Sequence, residues 1–134
     1  MDQPRGLSAA PDEGLYLAEA GAGGATCVSG GLAGQTCLGL VGSLDRVSTD
    51  GDGVRRIVTG LISGSGPGGV AAEGPVSVSR GPDGTFFAQF GLSSHEVPPP
   101  GVIPAGLRGA APGPARPLVA GEAARPGHGR VRRR

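Results

Sequence analysis

The chain of 134 residues contains no lysine and no tryptophan, and only one tyrosine, one methionine and two cysteines. With no tryptophan and three phenylalanines, few large side chains can anchor a core, so a fold must be assembled mainly from small residues. No apolar run approaches the roughly 20 residues of a transmembrane helix. Met1 is followed by polar residues and not by an apolar signal segment. As it stands the sequence reads as a chain without a membrane span or export signal, cytoplasmic if expressed from Met1. The two cysteines form no Cys-x-x-Cys and have no histidine nearby, which argues against a zinc site or a redox pair. Lysine is absent beside 12 arginines. A binding surface rarely demands arginine alone, whereas GC-rich coding raises Arg, Ala, Gly and Pro together. The net charge of +1 points to no particular partner.

What is abundant is glycine, at 28, and proline, at 13. Together they exceed the roughly 25–30 % at which low-complexity behaviour sets in. Leu, Ile, Val and Phe number 29, just above the roughly 20 % floor for a packed core. Composition therefore leaves two readings open, a largely unstructured chain and a fold built of short strands and turns.

Comparing the chain with itself favours the second. The segment beginning Pro4-Arg-Gly6-Leu7-Ser8 and continuing through Pro11-Asp12-Glu13-Gly14-Leu15-Tyr16 recurs 71 residues later. There it reads Pro75-Val-Ser-Val78-Ser79, then Pro82-Asp83-Gly84-Thr85-Phe86-Phe87. Each copy predicts strand, tight turn, strand. Proline presets φ, aspartate can cap the turn, and glycine accepts positive φ. The expected strands lie near residues 5–9 and 15–19, and near 76–80 and 86–90. Between the copies, residues 43–47 and 55–60 flank a run of Asp-Gly steps suited to a hairpin turn. Two hairpins in series make a four-stranded antiparallel meander, the unit of a propeller blade. Such repeats usually span about 40–50 residues. The wider spacing is expected to come from two loops, 21–41 and 63–74, because insertions between strands cost little.

These residues carry a resemblance. Pro-x-Gly-Leu-Ser followed by Pro-Asp-x-Gly-Leu-Tyr-Leu-Ala-Glu-Ala-Gly is similar to the first hairpin of an NHL-type repeat. Adding Cys27 and Cys37 in a Gly-rich loop, then Gly42-Ser-Leu-Asp-Arg-Val-Ser-Thr-Asp-Gly and Arg55-Arg-Ile-Val-Thr-Gly-Leu, the order resembles the N-terminal region of actinobacterial ScyD/ScyE family proteins. The match covers roughly residues 3–92. It implies an exported NHL-like propeller with a binding or scaffold role. It also implies structural work for the repeat residues Pro4, Gly6, Pro11, Asp12, Glu19, Pro75, Pro82 and Asp83. Glu19, ending the second strand, would bond backbone between adjacent blades, with Gln89 in that role in the second copy. If the protein is exported, Cys27 and Cys37 would close a disulfide worth at most about 3 kcal/mol by chain entropy. Family members carry an export signal and enough repeats to close a ring. The chain leaves the pattern near Leu92, and from 101 to 134 all but eight residues are Ala, Gly, Pro or Arg. The expectation is a truncated or frameshifted reading frame with an unstructured tail over 93–134.

Other chemistry is weaker. The Asp50-Gly51-Asp52-Gly53 run lacks the further ligands of a calcium loop, which needs six to eight oxygens. Gly64-Ser-Gly-Pro-Gly-Gly69 matches a dinucleotide fingerprint on paper, but no strand-to-helix context surrounds it. Ser93, Ser94, His95 and Glu96 beside a triproline read as a solvated loop. The tail holds seven arginines, among them Arg108, Arg116 and Arg125. No aromatic residue is interleaved to stack bases, which argues against a nucleic-acid partner.

The sequence thus predicts an all-β protein. A partial β-propeller of one four-stranded blade (4–60) and half of a second (75–91) makes up residues 1–92, followed by a disordered C-terminal tail over 93–134. No cofactor, metal or catalytic residue is predicted. The favoured function is non-enzymatic binding of an unidentified ligand or protein, with self-association through open blade edges. A remnant of a propeller hydrolase or lyase is the alternative, and a small basic nucleic-acid binder a second one.

Overall fold

The computed structural model describes residues 1–11, 13–29, 34–50 and 53–91 and, as backbone only, 117–119. The protein is all-β, with antiparallel strands and no α-helix among the described residues. In order the strands are β1 (Pro4–Ala9), β2 (Leu15–Glu19), β3 (Thr26–Ser29), β4 (Gln35–Val47), β5 (Val54–Ser65), β6 (Pro75–Arg80), β7 (Thr85–Phe90) and β8 (Pro117–Val119). They form two sheets, one of β1 to β5 and one of β6 to β8.

In the first sheet β1, β2, β4 and β5 lie side by side as the expected meander. Both β4 and β5 run longer than the sequence indicated. The second half of β4 pairs with β2, from Glu19 opposite Ser43 to Leu15 opposite Val47. Its first half pairs with β3, from Thr26 opposite Leu38 to Ser29 opposite Gln35. The expected loop over 21–41 is therefore largely strand. Its Thr-Cys-Val and Thr-Cys-Leu stretches carry the β-branched residues that suit a pleated surface, and β5 supplies β4 with a second edge from Cys37 opposite Ser65 to Val47 opposite Val54, with register shifts between Gly39 and Asp45. The expected loop over 63–74 is likewise shorter. Strand β5 continues to Ser65, and Gly64 and Glu73 exchange backbone hydrogen bonds of 2.6 and 2.7 Å around a 3₁₀ turn at Pro67–Gly69. The Gly-x-Gly-x-x-Gly stretch is the end of β5 and that turn.

The repeat seen in the sequence is reproduced in hydrogen-bond register. In the first copy Leu7 lies opposite Leu17, Ser8 opposite Tyr16 and Ala9 opposite Leu15. Adding 71 gives Val78 opposite Ala88, Ser79 opposite Phe87 and Arg80 opposite Phe86, which are the pairs observed. Each copy carries a register shift after its first proline, between Pro4 and Gly6 and between Pro75 and Ser77. The turns match as well: the Ala10 and Gly81 amides donate to the Gly14 and Thr85 carbonyls, each at 2.8 Å. The offset extends to the third strand. Leu15 and Tyr16 face Val47 and Arg46, while Phe86 and Phe87 face Leu118 and Pro117. Those last residues belong to the segment expected to be unstructured, of which only Pro117–Val119 is among the described residues.

The copies differ at one turn position. Positive φ in the first turn falls on Glu13 (61°), in the second on Gly84 (86°). The sequence expectation had given that conformation to glycine in both turns.

The second sheet packs against one face of the first. Directly opposed residues in an antiparallel pair project to the same side, so Tyr16, Ala18 and Leu44 share a face with Val58. Against it lie Val78 and Phe86, with Ala88 and Phe90 at the margin. The Tyr16 and Phe86 rings meet edge to face at 5.0 Å. Arg80 spans the junction, its guanidinium over the Phe86 ring and donating to the Tyr16 hydroxyl at 3.1 Å. Gly6 explains how close the sheets come. A Cβ there would stand 2.3 Å from the Val76 carbonyl oxygen, so any other residue would push the backbones apart.

Candidate functional site

The polar residues that are buried without obvious need lie on the other face of the first sheet. Glu19 ends β2 and is directly opposite Ser43 on β4. Asp45, two residues along β4, shares that side because strand side chains alternate. Arg56 on β5 lies opposite Asp45. One patch across three strands thus holds two carboxylates, a hydroxyl and a guanidinium. The intervening Leu44 points into the core, which fixes its neighbours on the opposite side.

Glu19, Ser43 and Asp45 are each only 1 % exposed. Glu19 Oε2 accepts a hydrogen bond from the Asp2 backbone N–H at 3.0 Å. It also lies 3.9 Å from Arg56 Nη2, which is 3.8 Å from the Asp2 carboxylate. Glu19 Oε1, Asp45 Oδ1 and Ser43 Oγ have no hydrogen-bond partner. Burial pushes the Asp45 carboxyl above the usual carboxylate range. The Ser43 hydroxyl, nearby though outside hydrogen-bond geometry, pulls it part of the way back. The Glu19 charge adds to the rise, and Arg56 and the chain's amino terminus oppose it. The arrangement therefore favours a proton on the Asp45 carboxyl.

Metal binding finds little support in this patch. Two carboxylates and one hydroxyl fall short of the six to eight oxygens of a calcium site, and a guanidinium already faces Glu19. Among the described residues no group of three or more His, Cys, Asp or Glu could hold a metal ion. No helix there is long and apolar enough to cross a membrane.

The residues singled out in the sequence fall into three places. Pro4 and Pro75 open equivalent strands, and Pro75 is fully buried. Pro11 and Pro82 sit in the two exposed turns. Asp83 caps its turn, accepting from the Thr85 amide at 3.1 Å and the Thr85 hydroxyl at 2.8 Å, and these bonds hold its carboxyl below the usual range. Glu19 bonds backbone, as the resemblance implied, but that of Asp2, just ahead of β1, and not of a neighbouring sheet. Register also corrects its counterpart: Glu19 lies opposite Pro4, and the residue opposite Pro75 is Phe90, not Gln89. A charge and an aromatic ring occupy equivalent positions because one lies on the outer face and the other in the packed junction. Asp12, the Gly51-Asp52 pair and the Ser93–Glu96 group lie outside the described residues.

Cys27 and Cys37 are direct partners across β3 and β4 and are joined as a disulfide. The preceding segment, 22–24, is pinned to the long strands. The Gly23 amide donates to Ser63 Oγ at 2.9 Å, Ser65 Oγ donates to the Ala22 carbonyl at 3.0 Å, and the Gly24 amide donates to the Cys37 carbonyl at 3.3 Å. Sequence reasoning missed Ser43, Asp45 and Arg56. The alternation Ser-Leu-Asp in β4 was visible, but nothing local shows that the polar side of that strand is covered. Compared with known protein families, with curated proteins and with solved structures, the chain finds no match.

Proposed function

We propose that the chain is a non-enzymatic β-sheet scaffold of propeller type, its two sheets being successive blades, that binds a ligand or another protein. One observation carries the reading: strand register, bulge and turn hydrogen bonds recur at an offset of 71 residues, and the second copy packs on the first. Sheets that repeat in register and stack face to face are how blades bury their apolar surfaces. The ScyD/ScyE resemblance agrees with this, and the Cys27–Cys37 disulfide supports a non-reducing compartment, as exported proteins occupy.

The second reading, a hydrolase or lyase remnant, draws on the buried Glu19 and Asp45 carboxylates, since paired acids in unequal environments serve acid–base chemistry. One experiment separates the two. Purified chain is titrated with panels of peptides and saccharides while its melting temperature is followed, and the same panels, with ester analogues, are assayed for turnover. Binding predicts a saturable rise in melting temperature without turnover. Turnover that disappears in a folded Asp45→Asn variant overturns the scaffold reading.

A further inference from the structure

One row of side chains crosses the first sheet on the side that meets the second. Ser8 on β1 lies opposite Tyr16 on β2, Tyr16 opposite Arg46 on β4, and Arg46 opposite Arg55 on β5. Directly opposed residues project to one side, and for this row it is the side on which Tyr16 packs against Phe86. Arg80, paired with Phe86 in the second sheet, reaches the same row from across the junction. Three guanidiniums, from β4, β5 and β6, thus share one margin of the packed core with the Tyr16 phenol among them.

The row carries an electrostatic cost. Like charges directly opposed across strands are unfavourable, and Arg46 and Arg55 are such a pair. Arg46 lies 5.9 Å from the Tyr16 ring centroid and donates to the Val47 carbonyl. Arg80 donates to the Tyr16 hydroxyl at 3.1 Å, its guanidinium over the Phe86 ring. Arg55 and Arg80 are exposed, and neither has a carboxylate partner among the described residues. Asp83, in the turn that follows β6, is committed to Thr85. Because the Tyr16 oxygen accepts from Arg80, its own proton is left to donate, and no acceptor among the described residues takes it. Opposite Tyr16, the Ser8 hydroxyl is buried without a hydrogen-bond partner.

We propose that this margin binds an oxyanion carrying two or more charges, a phosphate group or a dicarboxylate. The Tyr16 O–H and the remaining N–H groups of Arg80, linked by their own hydrogen bond, present adjacent donors to one anion. The planar guanidinium fork pairs with two oxygens at once, and the Phe86 ring supports it from one side. Arg46 and Arg55 add positive charge from the first sheet, and the anion offsets their repulsion. The site rests on the binding function proposed above and gives it a ligand class.

Tyr16 is the only tyrosine and tryptophan is absent, so ultraviolet fluorescence reports on this phenol alone. The experiment titrates the full, oxidised chain with inorganic phosphate and, separately, with succinate, following Tyr16 fluorescence and the melting temperature. Sodium chloride at matched ionic strength is the control. Wild type should show a saturable fluorescence change and a melting temperature that rises with ligand, and chloride should give neither. Saturation by phosphate alone assigns a phosphate ligand, and by succinate alone a dicarboxylate. Arg80→Gln should weaken binding about tenfold or more, through loss of a charge-assisted hydrogen bond. Circular dichroism checks its folding, and Arg80→Lys, which keeps the charge but loses the fork, replaces it if needed. Arg55→Gln, at an exposed position, should melt no lower than wild type without anion and gain less from phosphate. Responses to both anions that fail to saturate, or that chloride reproduces, would overturn the inference. So would affinity unchanged in the folded Arg80 and Arg55 variants. No response to either anion beside a saturable response to the peptide or saccharide panels would remove this site and leave the binding reading standing.

Discussion

Replacing Phe86 with alanine tests the arrangement of the two sheets more directly than any other change. The Phe86 ring is buried at the junction, edge-on to Tyr16 at 5.0 Å and beneath the Arg80 guanidinium. Removing a buried phenylalanine costs about 3–5 kcal/mol. The loss of the Tyr16 edge contact, worth about 0.5–1.5 kcal/mol in such pairs, places this site in the upper half of that range. A domain of this size has about 5–15 kcal/mol of stability in all. At about 4–8 °C per kcal/mol, the melting temperature should fall by roughly 15–40 °C. Phe87 is the internal control. It has the same chemistry one residue along but lies on the open side of β7, so Phe87→Ala should change stability by no more than about 0.5 kcal/mol. Both are read by thermal melts followed by far-ultraviolet circular dichroism in dilute protein, where association through the open face contributes least. A slip of one residue in the pairing of β6 with β7 would exchange the two side chains between faces. Equal losses, or a larger loss for Phe87→Ala, would therefore refute the register and everything built on it.

Two further substitutions probe the local chemistry. Asp45 has its carboxyl raised by burial, so the folded protein binds that proton more tightly than the unfolded chain. Its contribution is most favourable at low pH and is lost as pH rises from the usual value of 3.8 through the raised one. Asp45→Asn should be more stable than wild type at neutral pH by on the order of 1 kcal/mol, with the gap closing in acid; urea titrations across pH that show the variant weaker at pH 7 would contradict this. Glu13 occupies the left-handed conformation that its counterpart, Gly84, adopts without strain. Glu13→Gly relieves about 1 kcal/mol or more of strain against the roughly 0.5–1 kcal/mol entropy cost of glycine. The variant should equal or slightly exceed wild type in a denaturant melt, and a clear loss would show that the Glu13 side chain does something the turn geometry does not reveal.

The strands of the two repeated hairpins, their Pro-Asp turns and the 71-residue repeat were legible in the sequence alone, because alternation and turn chemistry act over a handful of neighbouring residues. The all-β class and the order of the four-stranded meander followed from them. Three things were decided only in three dimensions. Leu15-Tyr16 aligns with Phe86-Phe87 as a pair, but which member is buried depends on the neighbour each face meets; Tyr16 of the first copy and Phe86 of the second face one another across the junction. The cysteine segment looked like a glycine-rich loop, and it became strand because β5 runs on to Ser65 and gives β4 an edge to pair with along its length. The polar patch of Glu19, Ser43, Asp45 and Arg56 comes from residues on three strands. Its burial is a property of what covers the sheet, and no stretch of sequence carries that information.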